Sequence, residues 1–337
     1  MKALDLFCGI GGTTAAIKRF AFSVTGVDAD PEACKWYNAN WGQQGSNGAH
    51  HANILSLTES DVQGFGHIHA SPPCQAHSQA RRKQGETAEA KRLDLAVALS
   101  RHTGRLMQKS DCSTFSVENV AGYFRSAAYA SLIDQLDANE WTVSKVELRA
   151  HYLGVPQKRN RTFAIGYRKP YVPNPVSVGR TISYHQGWSS VLPMDMDDAK
   201  HYVRRPLTDW QIRRLEGLVN GSNNLKHGEF YLVPRAGFRG GDYPALAPSE
   251  AVKTITATRW DKLDLIRCDK TSSVNQWESA TLTPYSLARL QDFDPGIKLP
   301  INNNAAARLV GNAVPQAMGI SVMLRLGYKF RFACDRP

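Results

Sequence analysis

The run His67-Ile68-His69-Ala70-Ser71-Pro72-Pro73-Cys74-Gln75 constrains the fold of this chain more than any other stretch. A short strand-like segment ends at two consecutive prolines, and a cysteine follows at once. Each proline fixes its own φ and biases the residue before it toward extended backbone. The strand must therefore stop here, with the thiol held at a stiff corner. Open α/β sheets bind ligands just outside the carboxyl ends of their strands. At such a corner Cys74 is either a nucleophile or a packed core residue, because free cysteine is among the most buried residue types. His67 and His69 alternate along the strand and share one face. A metal site built from them and Cys74 lacks a further ligand at a recognised spacing, so no metal is expected.

The segments before and after this corner repeat its pattern. Lys2 to Leu6 is an apolar strand that runs into a glycine turn at Gly9, Gly11 and Gly12, and a helix follows from Thr13 to about Phe20. This is half of a dinucleotide fingerprint, with Thr14 where the third glycine would fall. Phe22 to Val27 reads as a second strand ending at Asp28, where a carboxylate can meet ribose hydroxyls. Pro31 opens a helix, and Gly42 to Gly48 is a loop. Asn53-Ile54-Leu55 lies at the next strand-to-loop change, with Asn53 either a ligand or a turn cap. Residues 76–86 are polar and basic without hydrophobic period, and predict a mobile loop beside the thiol. An apolar-faced helix runs from about Leu93 toward Met107. Phe115-Ser116-Val117 is a strand that ends in Glu118-Asn119-Val120. A carboxyl in that place is either a helix cap or an acid whose pKa is raised by desolvation. Residues 126–138 read as helix and 142–149 as strand. Arg159 and Arg161 follow, two apart on an extended segment, and should point the same way.

From Pro170 onward the composition shifts to Gly, Asn, Arg and aromatic residues with little periodicity. The charge shifts too. Residues 1–148 hold 14 Lys/Arg against 15 Asp/Glu, a net of −1, so the remaining 27 and 15 give residues 149–337 a net of +12. Such asymmetry is a footprint of a polyanion partner. Arg235, Arg239 and Arg259, interleaved with aromatics, suit contacts to bases and backbone. The six cysteines are scattered at 8, 34, 74, 112, 268 and 334, with neither metal spacing nor a compact disulfide framework. A reducing cytoplasm is the expected location, since no membrane span or signal peptide is visible.

Taken in order, these motifs resemble the cytosine carbon-5 DNA methyltransferase family over nearly the whole chain. Asp5-Leu-Phe-Cys-Gly-Ile-Gly-Gly12 resembles the family's cofactor turn, and Pro72-Pro73-Cys74-Gln75 its nucleophile motif. Glu118-Asn119-Val120, Gln157-x-Arg159-x-Arg161, Arg289-Leu290-Gln291-x-Phe293 and Gly311-Asn312-x-Val314-Pro315 follow in family order. Thr254-Ile255 resembles a dipeptide of the target-recognition region. Departures are Cys8 for alanine, Asn53 for aspartate, His77 for phenylalanine, Pro284-Tyr285-Ser286 without the usual Arg-Glu, and Asp294 for proline.

The resemblance implies an α/β fold: a doubly wound Rossmann-like methyltransferase sheet with a smaller, irregular, mostly β target-recognition domain. The implied domains are 1–178 for cofactor and catalysis, 179–280 for target recognition, 281–303 as hinge, and 304–337 as a C-terminal helix returning to the catalytic domain. The implied reaction moves a methyl group from S-adenosylmethionine, leaving S-adenosylhomocysteine, to carbon 5 of a flipped-out cytosine in duplex DNA. Cys74, Glu118, Arg159 and Arg161 are the implied catalytic residues. Phe7, Gly9, Gly11, Gly12, Asp28, Asn53, Ile54, Pro73 and Asn312 are the implied cofactor contacts. Gln75, Ser78, Arg81, Arg82, Arg235, Arg239 and Arg259 are the implied DNA contacts. A turn without lysine or arginine suits a cationic cofactor better than a pyrophosphate. The rival readings are an RNA (tRNA) cytosine methyltransferase of the same fold and an inactive DNA-binding relative. The expected setting is a monomer of bacterial, archaeal or phage origin, working alongside a cognate restriction endonuclease.

Overall fold

The computed structural model describes residues 1–42, 48–73, 86–174, 186–220, 225–235, 245–257 and 262–330. In chain order the elements begin β1 (Lys2–Leu6), α1 (Gly12–Ile17), β2 (Ser23–Asp28), α2 (Pro31–Trp41), β3 (Ala49–His51), β4 (His67–Ala70) and α3 (Glu86–Lys109). Next come β5 (Thr114–Asn119), α4 (Ala127–Ile133), β6 (Trp141–Arg149), β7 (Gln157–Lys158), β8 (Asn160–Arg168), β9 (Tyr202–Arg204) and α5 (Asp209–Asn220). The chain ends with β10 (Phe230–Pro234), β11 (Val252–Lys253), β12 (Leu263–Arg267), β13 (Ser279–Leu282), α6 (Pro284–Leu290), α7 (Asn303–Asn312) and α8 (Gln316–Arg325).

The chain forms two compact units. The first comprises Met1–Arg149, Asn160–Thr181 and Ala313–Pro337, and the second Ala150–Arg159 and Ile182–Asn312. This division differs from the predicted one near both ends of the second unit. Residues 150–159 go with the second unit, and the expected single C-terminal helix is two helices, α7 and α8, one in each unit. Pro315 lies between them. A proline there lacks the N–H that would continue the helix and restricts the residue before it.

The first unit is built on a seven-stranded sheet in the order β3-β2-β1-β4-β5-β8-β6. The pairs from β3 to β5 are parallel, and β8 runs antiparallel to both β5 and β6. The central strands β4 and β5 are buried at every residue, as in a sheet covered on both faces, although their sequences alternate polar and apolar residues. Leu4, Leu6, Ile68, Phe115 and Val117 lie in one cluster with Leu106, Met107 and Trp141. Each such side chain contributes about 1.5–3 kcal/mol when fully buried. All six residues of α1 are buried, and a Cβ on Gly319 of α8 would come within 2.6 Å of Ala16 Cβ, so glycine lets these helices approach closely. From β1 the chain winds outward through β2 and β3, then returns to place β4 on the other side of β1. The connections after β1 and β4 therefore part, which is the switch point where doubly wound sheets bind ligands. The glycine turn and the double-proline corner are those two connections.

The second unit holds a four-stranded antiparallel sheet, β10-β12-β13-β9, and a short parallel pair, β11 with β7. Its core gathers Leu207, Leu215, Tyr231, Val233, Ile266 and Trp277 around the face of α5.

Candidate active site

The first part of the site is the turn after β1. Phe7 has φ +61°, Gly9 +54° and Gly11 +87°, so the backbone coils tightly through three left-handed residues. Phe7 is not glycine, and holding it there costs of order 1 kcal/mol or more. The turn is braced from three sides. Asp28, at the end of β2, accepts the Gly9 N–H on Oδ2 at 2.8 Å and the Asp30 N–H on Oδ1 at 2.9 Å. Gly11 N–H donates to Cys8 O at 2.9 Å. Trp41 Nε1 donates to Ile10 O at 2.8 Å, and a Cβ on Gly11 would lie 2.3 Å from that nitrogen. On Gly12 a Cβ would meet Val314 O at 2.4 Å. Beneath the turn, Thr14 Oγ1 donates to Asp5 Oδ2 at 2.5 Å and lies 3.0 Å from the Tyr37 hydroxyl. The residue that breaks the dinucleotide pattern is thus the one that satisfies a buried carboxyl. Burial raises that carboxyl from 3.8 to about 7, with Asp28 adding like-charge repulsion.

The second part is the corner after β4. Ser71 N–H donates to Leu6 O at 3.2 Å, tying the corner to the end of β1. Asn119, the last residue of β5, donates its side-chain Nδ2 to Pro72 O at 2.9 Å, and its Oδ1 accepts the Val120 N–H at 2.9 Å. Sequence reasoning assigned no role to Asn119, although its place beside Glu118 was the available signal.

The third part joins β5 to β8. Glu118 pairs in register with Phe163, and Arg161 lies two residues earlier on β8. Arg161 Nε stands 2.8 Å from Glu118 Oε1, a close charge pair that is not aligned as a hydrogen bond. Glu118 is only 7% exposed. Arg161 Nη1 also donates to Asn160 O at 2.8 Å.

Arg159 and Arg161 were expected to lie on one extended segment, and the structure assigns them to different units. The Arg159 N–H donates to Gln157 O at 2.9 Å, a tight turn that ends β7 and breaks the extended run. Arg159 belongs to the second unit and is 1% exposed, with Nη1 donating to Ile255 O at 3.0 Å and Gly311 O at 3.2 Å. Gln157 is held as firmly. Its Nε2 donates to Leu290 O and Gln291 Oε1, and its Oε1 accepts the Ile255 N–H at 3.0 Å. Thr254 Oγ1 donates to Lys158 O at 2.9 Å, so Thr254-Ile255 is bound to the 157–159 segment. A Cβ on Gly311 would lie 2.3 Å from the Thr256 carbonyl carbon, which makes glycine the residue that fits.

The other expected residues separate clearly. Exposed Asn53 caps a 3-10 turn, accepting the Leu55 N–H at 3.0 Å. Ile54 is buried in the core of the first unit, Pro73 is exposed, and Asn312 is exposed at the end of α7. Arg235 gives Nη1 to Asp264 Oδ2 and Thr281 Oγ1, both at 2.9 Å, so it braces the small sheet. His67 and His69 are fully buried with their ring nitrogens on hydroxyls, and burial lowers both to about 3. Among the described residues no three His, Cys, Asp or Glu side chains gather as for a metal. Nor is any described helix long and apolar enough to cross a membrane. Cys74, Gln75, Ser78, Arg81, Arg82, Arg239 and Arg259 lie outside the described residues, as does the expected loop up to residue 85.

A family model described as C-5 cytosine-specific DNA methylase matches residues 1–327. The chain is 24% identical over 322 residues to the type II methyltransferase M1.ScrFI of Lactococcus lactis subsp. cremoris, covering 93% of this chain and 74% of that protein. It is also 24% identical over 345 residues to the type II methyltransferase M.HpaII of Haemophilus parainfluenzae, covering 96% and 89%. Its fold is similar to that of the S. pombe Dnmt2 methyltransferase, with a TM-score of 0.65 at 16% identity, over 97% of this chain and 98% of that one.

Proposed function

The chain belongs to the C-5 cytosine-specific DNA methylase family, and from that premise we propose that it methylates carbon 5 of a flipped-out cytosine in a specific duplex DNA site through a covalent adduct with Cys74. The observation that carries this reading is the Arg161–Glu118 pair at the end of β5. It adjoins Asn119, which holds the Pro72 carbonyl two residues before Cys74.

The residues of the turn fit S-adenosylmethionine. A Cβ on Gly9 would meet nothing within 4 Å, so the coiled turn leaves an open approach to its backbone. No basic residue occurs from Phe7 to Ile17, while Asp28 stands beside the turn. Phe7, Gly9, Gly11 and Gly12 would line the cofactor. Asp28 keeps a further lone pair on each oxygen for ribose hydroxyls, beyond the backbone bonds it makes. When bound, the cofactor supplies an electrophilic methyl group.

Carbon 5 of cytosine is a weak nucleophile until addition at carbon 6 gives the intact ring enamine character. The Cys74 thiolate forms a bond to ring carbon 6, and the displaced electron pair reaches carbon 5 and nitrogen 3. Glu118 holds the proton at nitrogen 3. Arg161 fixes the Glu118 carboxyl and steadies charge on the ring oxygen through its forked donors. Arg159 acts at one remove, holding Ile255 and Gly311 through their carbonyls. After transfer, water takes the carbon-5 proton and the carbon–sulfur bond breaks, restoring the ring and the thiolate. A base in a duplex is out of reach until it leaves the stack, so flipping is part of the reaction. The basic half of the chain supplies phosphate contacts.

The test is a duplex carrying 5-fluorocytosine, which blocks proton loss at carbon 5 and traps the adduct. The full-length protein with cofactor should yield a denaturation-stable complex joined through Cys74. Cys74→Ser should still bind cofactor and duplex but form no complex and transfer no labelled methyl. Methylation by that variant, or labelling of transfer RNA in preference to duplex DNA, would reject the reading.

A further inference from the structure

A buried line of polar side chains crosses the first unit and ends at the corner before Cys74. The Tyr328 hydroxyl lies 2.6 Å from Thr114 Oγ1, which lies 2.8 Å from His67 Nδ1. His67 Nε2 is 3.1 Å from Ser116 Oγ, and Ser116 Oγ is 2.7 Å from His69 Nδ1. His69 Nε2 is 2.9 Å from Ser71 Oγ. The four inner residues are register partners on adjacent parallel strands, His67 with Thr114 on one level and His69 with Ser116 on the next. All four are buried, whereas Ser71 and Tyr328 are half-buried.

The protons can be placed without conflict. Tyr328 donates to Thr114, Thr114 to His67 Nδ1, and His67 Nε2–H to Ser116. Ser116 then donates to His69 Nδ1, and His69 Nε2–H to Ser71. Each neutral imidazole provides one donor and one acceptor, and each hydroxyl one proton. Burial keeps both rings neutral.

We propose that this chain of imidazoles and hydroxyls positions the Pro72-Pro73 corner, with Ser71 and His69 as its positioning residues. An apolar face on β4 and β5 would pack as well without any need for matched donors and acceptors. What the polar line adds is a directed bond at Ser71, the first residue beyond β4. Ser71 is thereby fixed twice, by its backbone N–H to Leu6 O and by its side chain to His69. Pro72 is fixed at its carbonyl by Asn119. The two prolines that follow Ser71 each have a restricted φ, so a direction set at Ser71 carries through the Pro72-Pro73 corner that precedes Cys74 in the chain. The inference rests on the reading of Cys74 as nucleophile.

Ser71→Ala removes the last bond of the line at a half-buried position, and Ser71→Thr restores a hydroxyl there. Adduct formation on the 5-fluorocytosine duplex is followed in single turnover, alongside KM for both substrates and the melting temperature. Ser71→Ala should lower kcat and the adduct rate about tenfold, the effect of one lost hydrogen bond in the rate-limiting geometry. KM values and melting temperature should stay close to those of the unaltered protein, and Ser71→Thr should recover most of the rate. A wild-type adduct rate in Ser71→Ala, or a change confined to KM or melting, would overturn the positioning role alone. Failure of the unaltered protein to form any adduct would remove both this role and the reaction it serves.

Discussion

Asp5→Asn should free the protein from a loss of stability that otherwise develops as the pH rises. Asp5 lies on β1 under the glycine turn and is 1% exposed, with Oδ2 accepting the Thr14 hydroxyl. Burial first, and then the nearby charge of Asp28, raise its carboxyl to about 7 from 3.8. A carboxyl with a raised native pKa binds its proton more tightly when folded than when unfolded. Its contribution is therefore most favourable below about pH 4 and declines as the pH rises from there to about 7. Above that it is constant at its least favourable. At about 1.4 kcal/mol per tenfold, the gap between 3.8 and about 7 sets a ceiling of ~4 kcal/mol, roughly half of it arising between pH 5.5 and 8.5. Asparagine keeps the volume and an acceptor for Thr14 but carries no charge at any pH. Urea unfolding at the two pH values isolates the effect, because any fixed cost of orienting the amide cancels between them. The unaltered protein should lose about 2 kcal/mol more than Asp5→Asn over that interval. Parallel curves would show that Asp5 ionises without penalty, and the account of the floor beneath the turn would fail.

Two further perturbations test other parts of the molecule. Glu118→Gln removes the proton carrier while keeping its shape, and turnover should fall by about 10²-fold or more at a temperature where the variant is folded, with some loss of melting temperature because the Arg161 guanidinium loses its counter-charge; near-normal turnover would reject the acid role. Asp264→Ala strands the guanidinium of Arg235 against a fully buried site and removes acceptors from Gln211 and Thr281. Loss of one member of such a pair costs about 3–5 kcal/mol. Urea denaturation should show that loss in the second unit, and a change below about 1 kcal/mol would mean the pair is not structurally important.

The parts legible in the sequence were those whose geometry is local. A strand followed by Gly9, Gly11 and Gly12 can only coil, and a strand followed by Pro72 and Pro73 can only stop. What escaped was set by partners far along the chain. Arg159 and Arg161 look equivalent on an extended segment, but Gln157 and Arg159 are anchored within the second unit, to Leu290, Gln291, Ile255 and Gly311, while Arg161 pairs with Glu118 in the first. Arg235 looks like a free cation among aromatics until β10 pairs with β12 and brings Asp264 beside it. Asp28 illustrates a milder case. Its place at the end of β2 was legible, yet nothing local revealed that its oxygens brace Gly9 and Asp30. The same holds for α7 and α8, where an apolar run gives no hint that its two halves pack in different units.

These long-range partners follow one rule within the first unit. Asp28 on β2 holds the turn after β1, Asn119 on β5 holds the corner after β4, and Arg161 on β8 holds Glu118 on β5. In each case the brace comes from the neighbouring strand of the same sheet. A hydrogen bond or close charge pair of this kind contributes only about 0.5–3 kcal/mol to stability, too little to explain the fold. Its effect on geometry is larger, because a strand hydrogen-bonded along its length to its neighbours cannot shift without disturbing its whole register. Bracing from such strands gives the connections at the switch point the precision of the sheet. A reaction that must bring a sulfur, a carboxyl and a ring into near-attack contact depends on that precision, since small misplacements cost rate far out of proportion to the bonds involved.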